Sequence, residues 1–224
     1  IPEAKPHPRR PMSRIAVIGA SRGIGFETVK TLLKLDHEVV AFSRSATKIQ
    51  MDHPQLLKIA GDATQKSDIN AALNGSDAVI QTLGVPLNSK LLTGPIELFS
   101  SSTRELIIAM NEAGIRRLIS VTGFGAGDSK GAINCFQKIP FNIIFGHAYR
   151  DKSIQEDYIK KSGLDWTIVR PGVLINAPLK QTYKIYQHRQ EWRNGFVSRR
   201  SVADYISRIL FNVDSHGKDP VIVN

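Results

Sequence analysis

Cysteine is nearly absent from this chain of 224 residues: Cys135 is the only one, which excludes an internal disulfide framework and any cysteine-rich zinc module. The six histidines are scattered without ligand spacing, so no metal site is expected. No run approaches the ~18 consecutive apolar residues of a membrane span. Acidic residues are also scarce, with 20 Asp and Glu against 30 Lys and Arg for a net charge of +10. What is present, 42% hydrophobic and 22% charged residues, is enough to bury the core of one domain and excludes wholesale disorder. The expectation is a globular protein of a reducing, cytoplasmic compartment.

The basic surplus raises the local concentration of anions, whether nucleic acid, acidic lipid or a phosphorylated small molecule. It does not gather in one block. Residues 1–11 carry Lys5, Arg9 and Arg10 against Glu3, a net +2 of the total +10, which leaves +8 spread over residues 12–224. The default for such a spread is a solvated surface. The same eleven residues hold Pro2, Pro6, Pro8 and Pro11, a density that permits neither helix nor ladder. Met12 is read as the native start, with residues 1–11 either a remnant added ahead of it or a natural flexible arm. Residues 12–224 are read as one domain.

Within that domain strands and helices alternate. Apolar, β-branched runs predict strands at Ile15–Gly19, Glu38–Phe42, Leu56–Ala60, Ala78–Thr82, Leu118–Thr122, Trp166–Arg170 and Val221–Val223. Stripes and stop signals predict helices at Ile24–Leu35, Ser67–Leu73, Ser102–Ala113, His147–Lys161 and Val202–Phe211. Such alternation predicts an α/β fold, a Rossmann-like doubly wound parallel sheet with helices on both faces.

The strongest chemical signal is Gly19-Ala20-Ser21-Arg22-Gly23-Ile24-Gly25, set between the first strand and the first helix. The first glycine permits the turn, the second lets backbone approach a diphosphate, and the third lets helix and sheet pack closely. The helix N-terminus adds unpaired N–H groups and partial positive charge. Gly19, Ser21, Arg22, Gly23, Ile24 and Gly25 are therefore expected to bind a dinucleotide. The second strand ends Ser43-Arg44-Ser45 without the acid that takes a ribose 2′-hydroxyl, so Ser43, Arg44 and Arg22 are expected at a 2′-phosphate. NADP(H) is favoured, with NAD the second choice. Strand ends add Asp62 and Ala63, where Asp62 serves either the adenine or a helix cap, and Thr82, Leu83 and Gly84.

From Met12 onward the sequence resembles the short-chain dehydrogenase/reductase superfamily. More narrowly it is similar to the atypical, NmrA-like branch that includes biliverdin-IXβ (flavin) reductases. The resemblance rests on GASRGIG (19–25), GDAT (61–64), SGLDWTIVRPG (162–172) and SRRSVADYI (198–206). It implies hydride chemistry on a nicotinamide and a small substrate-facing C-terminal portion. The family's proton donor is a tyrosine four residues before a lysine, aided by a serine after the fifth strand. Lys152 fits the lysine, but Ala148 stands four residues earlier and Tyr149 three, and Gly123 holds the serine position. Tyr149, Thr122 and Lys152 are the nearest catalytic set, with Thr122 and Lys152 also at the cofactor.

Two readings follow: an NADPH-dependent reductase of a conjugated acceptor (a flavin, quinone or tetrapyrrole) that needs no protein acid, or a non-catalytic NADP(H) sensor. A sugar-nucleotide epimerase is the weakest alternative. The partner is a small molecule rather than nucleic acid or membrane, and the protein a monomer or homodimer. The remaining features have bland defaults. Cys135 is read as a buried structural thiol, His147 as a surface residue or a neighbour of the cofactor, and Lys152 with Glu156 as a surface pair if not catalytic. The stretch Gly123–Gly131 is either a loop over the nicotinamide or a plain connection. The aromatic and basic stretch Tyr183–Arg200 is a substrate wall, an exposed or dimer surface, or, least of all, a nucleic-acid patch.

Overall fold

A computed structural model describes residues 12–85, 97–132, 135–179 and 182–224, without the side chains of residues 130–145. The N-terminal arm 1–11, and the Cys135 side chain, lie outside that description.

Ten strands and five helices are described. The strands are β1 (Arg14–Ile18), β2 (Glu38–Ser43), β3 (Leu56–Ala60), β4 (Ala78–Gln81), β5 (Arg117–Val121), β6 (Asp165–Pro171), β7 (Val173–Ile175), β8 (Lys184–Tyr186), β9 (Phe196–Ser198) and β10 (Val221–Val223). The helices are α1 (Gly23–Lys34), α2 (Lys66–Leu73), α3 (Leu98–Glu112), α4 (Cys135–Lys161) and α5 (Arg199–Ile209). Eight strands form one sheet in the order β3-β2-β1-β4-β5-β6-β10-β8. All neighbours are parallel except β8, which runs antiparallel to β10. The expected Rossmann-like sheet is present, with that edge as a correction: three residues, half-buried or exposed, carry too little periodic signal to be read in advance. The parallel pair β7–β9 stands apart as a second, two-stranded sheet. A second correction concerns α4, which runs 27 residues and starts at Cys135 rather than His147.

Strand alternation explains the layers. Ile15, Val17, Val39, Ala41 and Ile80 point to one face, where Val29 and Leu32 of α1 and Val202 and Ile206 of α5 cover them. Ala16, Ile18, Val40, Phe42 and Val79 point to the other, under Ile69 of α2, Leu106 and Met110 of α3 and Ile159 of α4. Each large apolar side chain so buried stabilises the fold by about 1.5–3 kcal/mol before entropy is counted.

Two polar devices fix α5, one at each end. Ser198 caps α5, its hydroxyl accepting from the Ser201 N–H at 3.0 Å. At the other end, the buried Arg117 guanidinium donates to the carbonyls of Ile209 and Leu210 at 2.9 and 2.7 Å. Burial lowers Arg117 to about 10, so it stays charged and complements the negative end of the helix.

Candidate functional site

Ligand sites in parallel sheets lie beyond the carboxyl ends of the strands, where the order reverses. Here β1 feeds β2 on one side and β4 on the other, and a cleft of about 900 Å³ opens at that point. At one end the glycine loop forms its floor. Gly19 has φ +95°, and a β-carbon on it would meet the Thr82 backbone at 2.9 Å. Gly25 lets α1 sit against the sheet, since its β-carbon would lie 2.5 Å from Thr82 Oγ1 and closer still to Gly19 O. In front of Gly23 the space is open, the nearest atom to a β-carbon there being Arg199 Nε at 3.9 Å. The first turn of α1 contains no acid, and Arg22, its N-cap, makes no side-chain capping bond. Unpaired N–H groups at a helix start with no acid in its first turn suit an anion.

The predicted cofactor residues Gly19, Ser21, Arg22, Gly23, Ile24, Ser43, Arg44, Asp62, Ala63, Thr82, Leu83, Gly84, Thr122 and Lys152 all line the cleft. Gly25 does not: the structure corrects it to a packing residue behind the loop. Thr82 lines the wall, but its hydroxyl donates to the carbonyls of Ile18 and Gly19 at 3.1 and 3.3 Å, bracing the turn. Asp62 Oδ1 accepts from the Thr64 N–H and hydroxyl at 2.9 and 2.8 Å. Those bonds, with Arg44 adding its charge, hold the carboxyl below the usual carboxylate range. Asp62 is therefore a local cap that also faces the cleft. Ser43 Oγ is buried there with no hydrogen-bond partner among the described residues, and Arg22 and Arg44 are exposed at the rim. Among the described residues no carboxylate lies within 4.0 Å of Arg22 or Arg44; such an arrangement suits a 2′-phosphate.

The other end is built by α4, whose inward stripe is polar. Ala148, Asp151, Gln155, Glu156 and Ile159 are buried at helical spacing. Asp151 caps α3 from outside its own helix, accepting from the N–H groups of Phe99 and Ser100 at 2.7 and 3.2 Å. Glu156 grips Arg170 through two bonds of 3.0 and 2.7 Å, and Arg170 stacks 4.7 Å from the Trp192 ring. The surface pair expected of Lys152 and Glu156 is thus overturned, because the Glu156 carboxylate is buried and engaged by Arg170. It also accepts from the Thr122 hydroxyl at 2.7 Å. Thr122 lines the cleft, yet its proton is committed elsewhere.

Lys152 donates to the Thr122 carbonyl and lies 4.9 Å from the Phe99 ring centre. Burial lowers its ammonium to about 8 although Glu156 works in the opposite sense. Tyr149 reaches the cleft wall, but its hydroxyl lies against Gly123, 2.9 Å from where a β-carbon would be. Burial raises it to about 12. The structure brings Tyr149, Thr122 and Lys152 together at the cleft.

The family model described as NAD(P)H-binding matches residues 19–213. The chain belongs to the NAD(P)H-binding family. It is 30% identical to an uncharacterised chloroplast protein of Arabidopsis thaliana over 94% of this chain and 76% of that protein. The chain spans only 43% of each of two further curated relatives. Among solved structures it is similar to an anaerobilin reductase of Escherichia coli, with 27% identity, a TM-score of 0.78, and 94% and 97% of the two chains covered. A short-chain dehydrogenase/reductase of Veillonella parvula in complex with NADP shares the fold at 20% identity, with a TM-score of 0.80 over 95% and 94% of the chains. At 20% identity the second likeness shows the fold alone.

Several features of this NAD(P)H-binding protein were not read from sequence. Arg199 and Asn176 line the cleft, and Arg199 Nη1 donates to Asn176 Oδ1 at 2.8 Å. The motif SRRSVADYI contains Arg199, but nothing in it says which arginine turns inward. Gly123–Gly131 is pinned as far as its side chains are described: Phe124, Ala126 and Ser129 are buried, and Asp128 pairs with Lys160 at 2.6 Å and Arg189 at 2.5 Å. It is a packed connection rather than a lid. The stretch Tyr183–Arg200 forms no continuous wall. Trp192 is buried, Tyr183 donates to Asp204 at 2.8 Å, and Phe196 is exposed. His147 is exposed and does not line the cleft. No helix among the described residues is long and apolar enough to cross a membrane, and no cluster of metal-ligating side chains occurs among them.

Proposed function

We propose that the protein is an NADPH-dependent reductase acting on a small, extended conjugated acceptor such as a flavin, quinone or tetrapyrrole. The observation that carries this reading is the altered acid pair: Gly123 stands where the family's serine is expected, and burial pushes the Tyr149 hydroxyl beside it up to about 12, away from the range of an effective proton donor. A carbonyl or sugar substrate needs a well-placed acid, whereas an acceptor whose charge is spread over a conjugated system takes its proton from water.

NADPH, when bound, supplies a hydride. The glycine loop and the open N-terminus of α1 would hold its diphosphate; Arg22, Ser43 and Arg44 would hold its 2′-phosphate. Lys152, fixed by the Thr122 carbonyl, would hold the opposite end. Leu83, Val85, Leu98, Phe99 and Leu174 line the rest of the cleft, a wall that excludes water and accepts a flat apolar face. The chain's own contribution is alignment of donor and acceptor. The likeness to an anaerobilin reductase supports reduction as the chemistry. A reducing compartment suits this protein, the cytoplasm or, given the Arabidopsis relative, a plastid.

The committed Thr122 hydroxyl favours a second reading, in which NADP(H) is bound without turnover. The two separate in one assay: NADPH is mixed with the protein and a panel of flavins, quinones and tetrapyrroles, and its absorbance is followed. Acceleration over the protein-free blank with at least one acceptor is expected. No acceleration with any of them would favour the sensor.

A further inference from the structure

Arg199 is a half-buried guanidinium in the wall of the cleft, and nothing in the predicted cofactor set includes it. It opens α5, which packs beside α1 on the same face of the sheet. Three contacts hold that end in place. Ser198 caps the helix. Its neighbour Arg200 reaches Glu27 of α1 at 3.5 Å, docking one helix start onto the other. Asn176, just past β7, takes Arg199 Nη1 at 2.8 Å. That amide oxygen is neutral, so it orients the guanidinium without cancelling its charge. Among the described residues no carboxylate lies within ion-pair distance of Arg199. A guanidinium so oriented, left unneutralised and turned toward a cradle of backbone N–H groups, is built to meet an anion. The anion it meets is defined by place: Arg199 Nε is the atom nearest the open space before Gly23.

We infer that Arg199 is a diphosphate clamp, a cation that the C-terminal helix brings beside the glycine loop onto the dinucleotide, with Asn176 as its positioning residue. The inference rests on the NADP(H) reading of the cleft and adds a residue to it. It divides the arginines by task, with Arg22 and Arg44 at the 2′-phosphate and Arg199 at the bridge between the two nucleotides. It also gives the C-terminal segment a share in cofactor binding, since Arg199 and Asn176 both follow β6.

The test compares dissociation constants for NADPH and for adenosine 2′-monophosphate, which has the 2′-phosphate and no diphosphate. Arg199→Ala is expected to weaken NADPH by about ten- to a hundredfold, the worth of charge-assisted bonds to an anion. Adenosine 2′-monophosphate should remain within about twofold of the unaltered protein, which also shows that the variant is folded. Asn176→Ala should give a smaller loss in the same direction, and Arg199→Lys should recover part of it. An unchanged NADPH constant in Arg199→Ala, with a raised KM for an acidic acceptor, would assign the guanidinium to the acceptor and overturn the clamp. Equal weakening of both ligands would overturn it as well. Should neither ligand bind the unaltered protein, the underlying cofactor reading itself has failed.

Discussion

The hydroxyl of Tyr149 occupies the space that a side chain on Gly123 would fill: a β-carbon there would lie 2.9 Å from Tyr149 Oη and 3.4 Å from Cζ. The position expected to carry a serine is a glycine, and the tyrosine one residue out of register fills the gap. Tyr149→Phe is accordingly expected to leave reductase turnover within about twofold, since general acid catalysis by this group would contribute ~10²–10⁴-fold. A loss of that size, measured as kcat with a conjugated acceptor, would return the tyrosine to the chemistry. Gly123→Ser should instead destabilise the fold by about 1–3 kcal/mol through overpacking, read from urea unfolding.

Arg44 should govern cofactor choice. NADPH is expected to bind at least about tenfold more tightly than NADH, a difference of roughly 1.4 kcal/mol, and Arg44→Ala should remove most of that gap. Titration calorimetry with both cofactors checks it. Equal affinities in the unaltered protein would leave the 2′-phosphate without its expected partner.

Lys152 should be the early-titrating lysine of the cleft. Burial favours its neutral form, so half of it is unprotonated near pH 8, where an exposed lysine of pKa about 10.4 is almost wholly charged. Only the neutral amine attacks an acylating reagent. Labelling at pH 8, mapped by mass spectrometry, should therefore favour Lys152, fall as the pH drops below 8, and be suppressed by NADPH. A Lys152 that labels no faster than surface lysines would contradict this.

The buried pair of Glu156 and Arg170 should dominate local stability. Arg170→Met leaves the carboxylate unpaired in the interior and is expected to cost about 3–5 kcal/mol in denaturant unfolding. The same change releases the network that holds Thr122.

Much of this architecture was legible in advance because its signals are local. Leu56–Ala60 and Val221–Val223 match the predicted strands residue for residue, since short apolar runs in a parallel sheet carry their own boundaries. The glycine loop was readable because turn geometry selects residue type. What escaped depends on contacts distant in sequence. Glu156 looked like an exposed partner of Lys152 because nothing local announces that Arg170, on β6, will claim it. Asp151 looked unremarkable because the helix it caps, α3, starts more than fifty residues earlier. Arg199 is one of two adjacent arginines, and only the packing of α5 on α1 decides which faces the cleft. Three-residue strands such as β8 owe their pairing to β10 rather than to their own pattern.

The most direct measurement is backbone amide hydrogen exchange with and without NADPH. Slower exchange is expected over residues 19–27, which carry the loop and the first turn of α1, and over residues 43–45 and 199–201 at the rim. Exchange over residues 19–27 that stays unchanged at saturating NADPH would contradict the account, because the diphosphate would then rest somewhere other than on those amides.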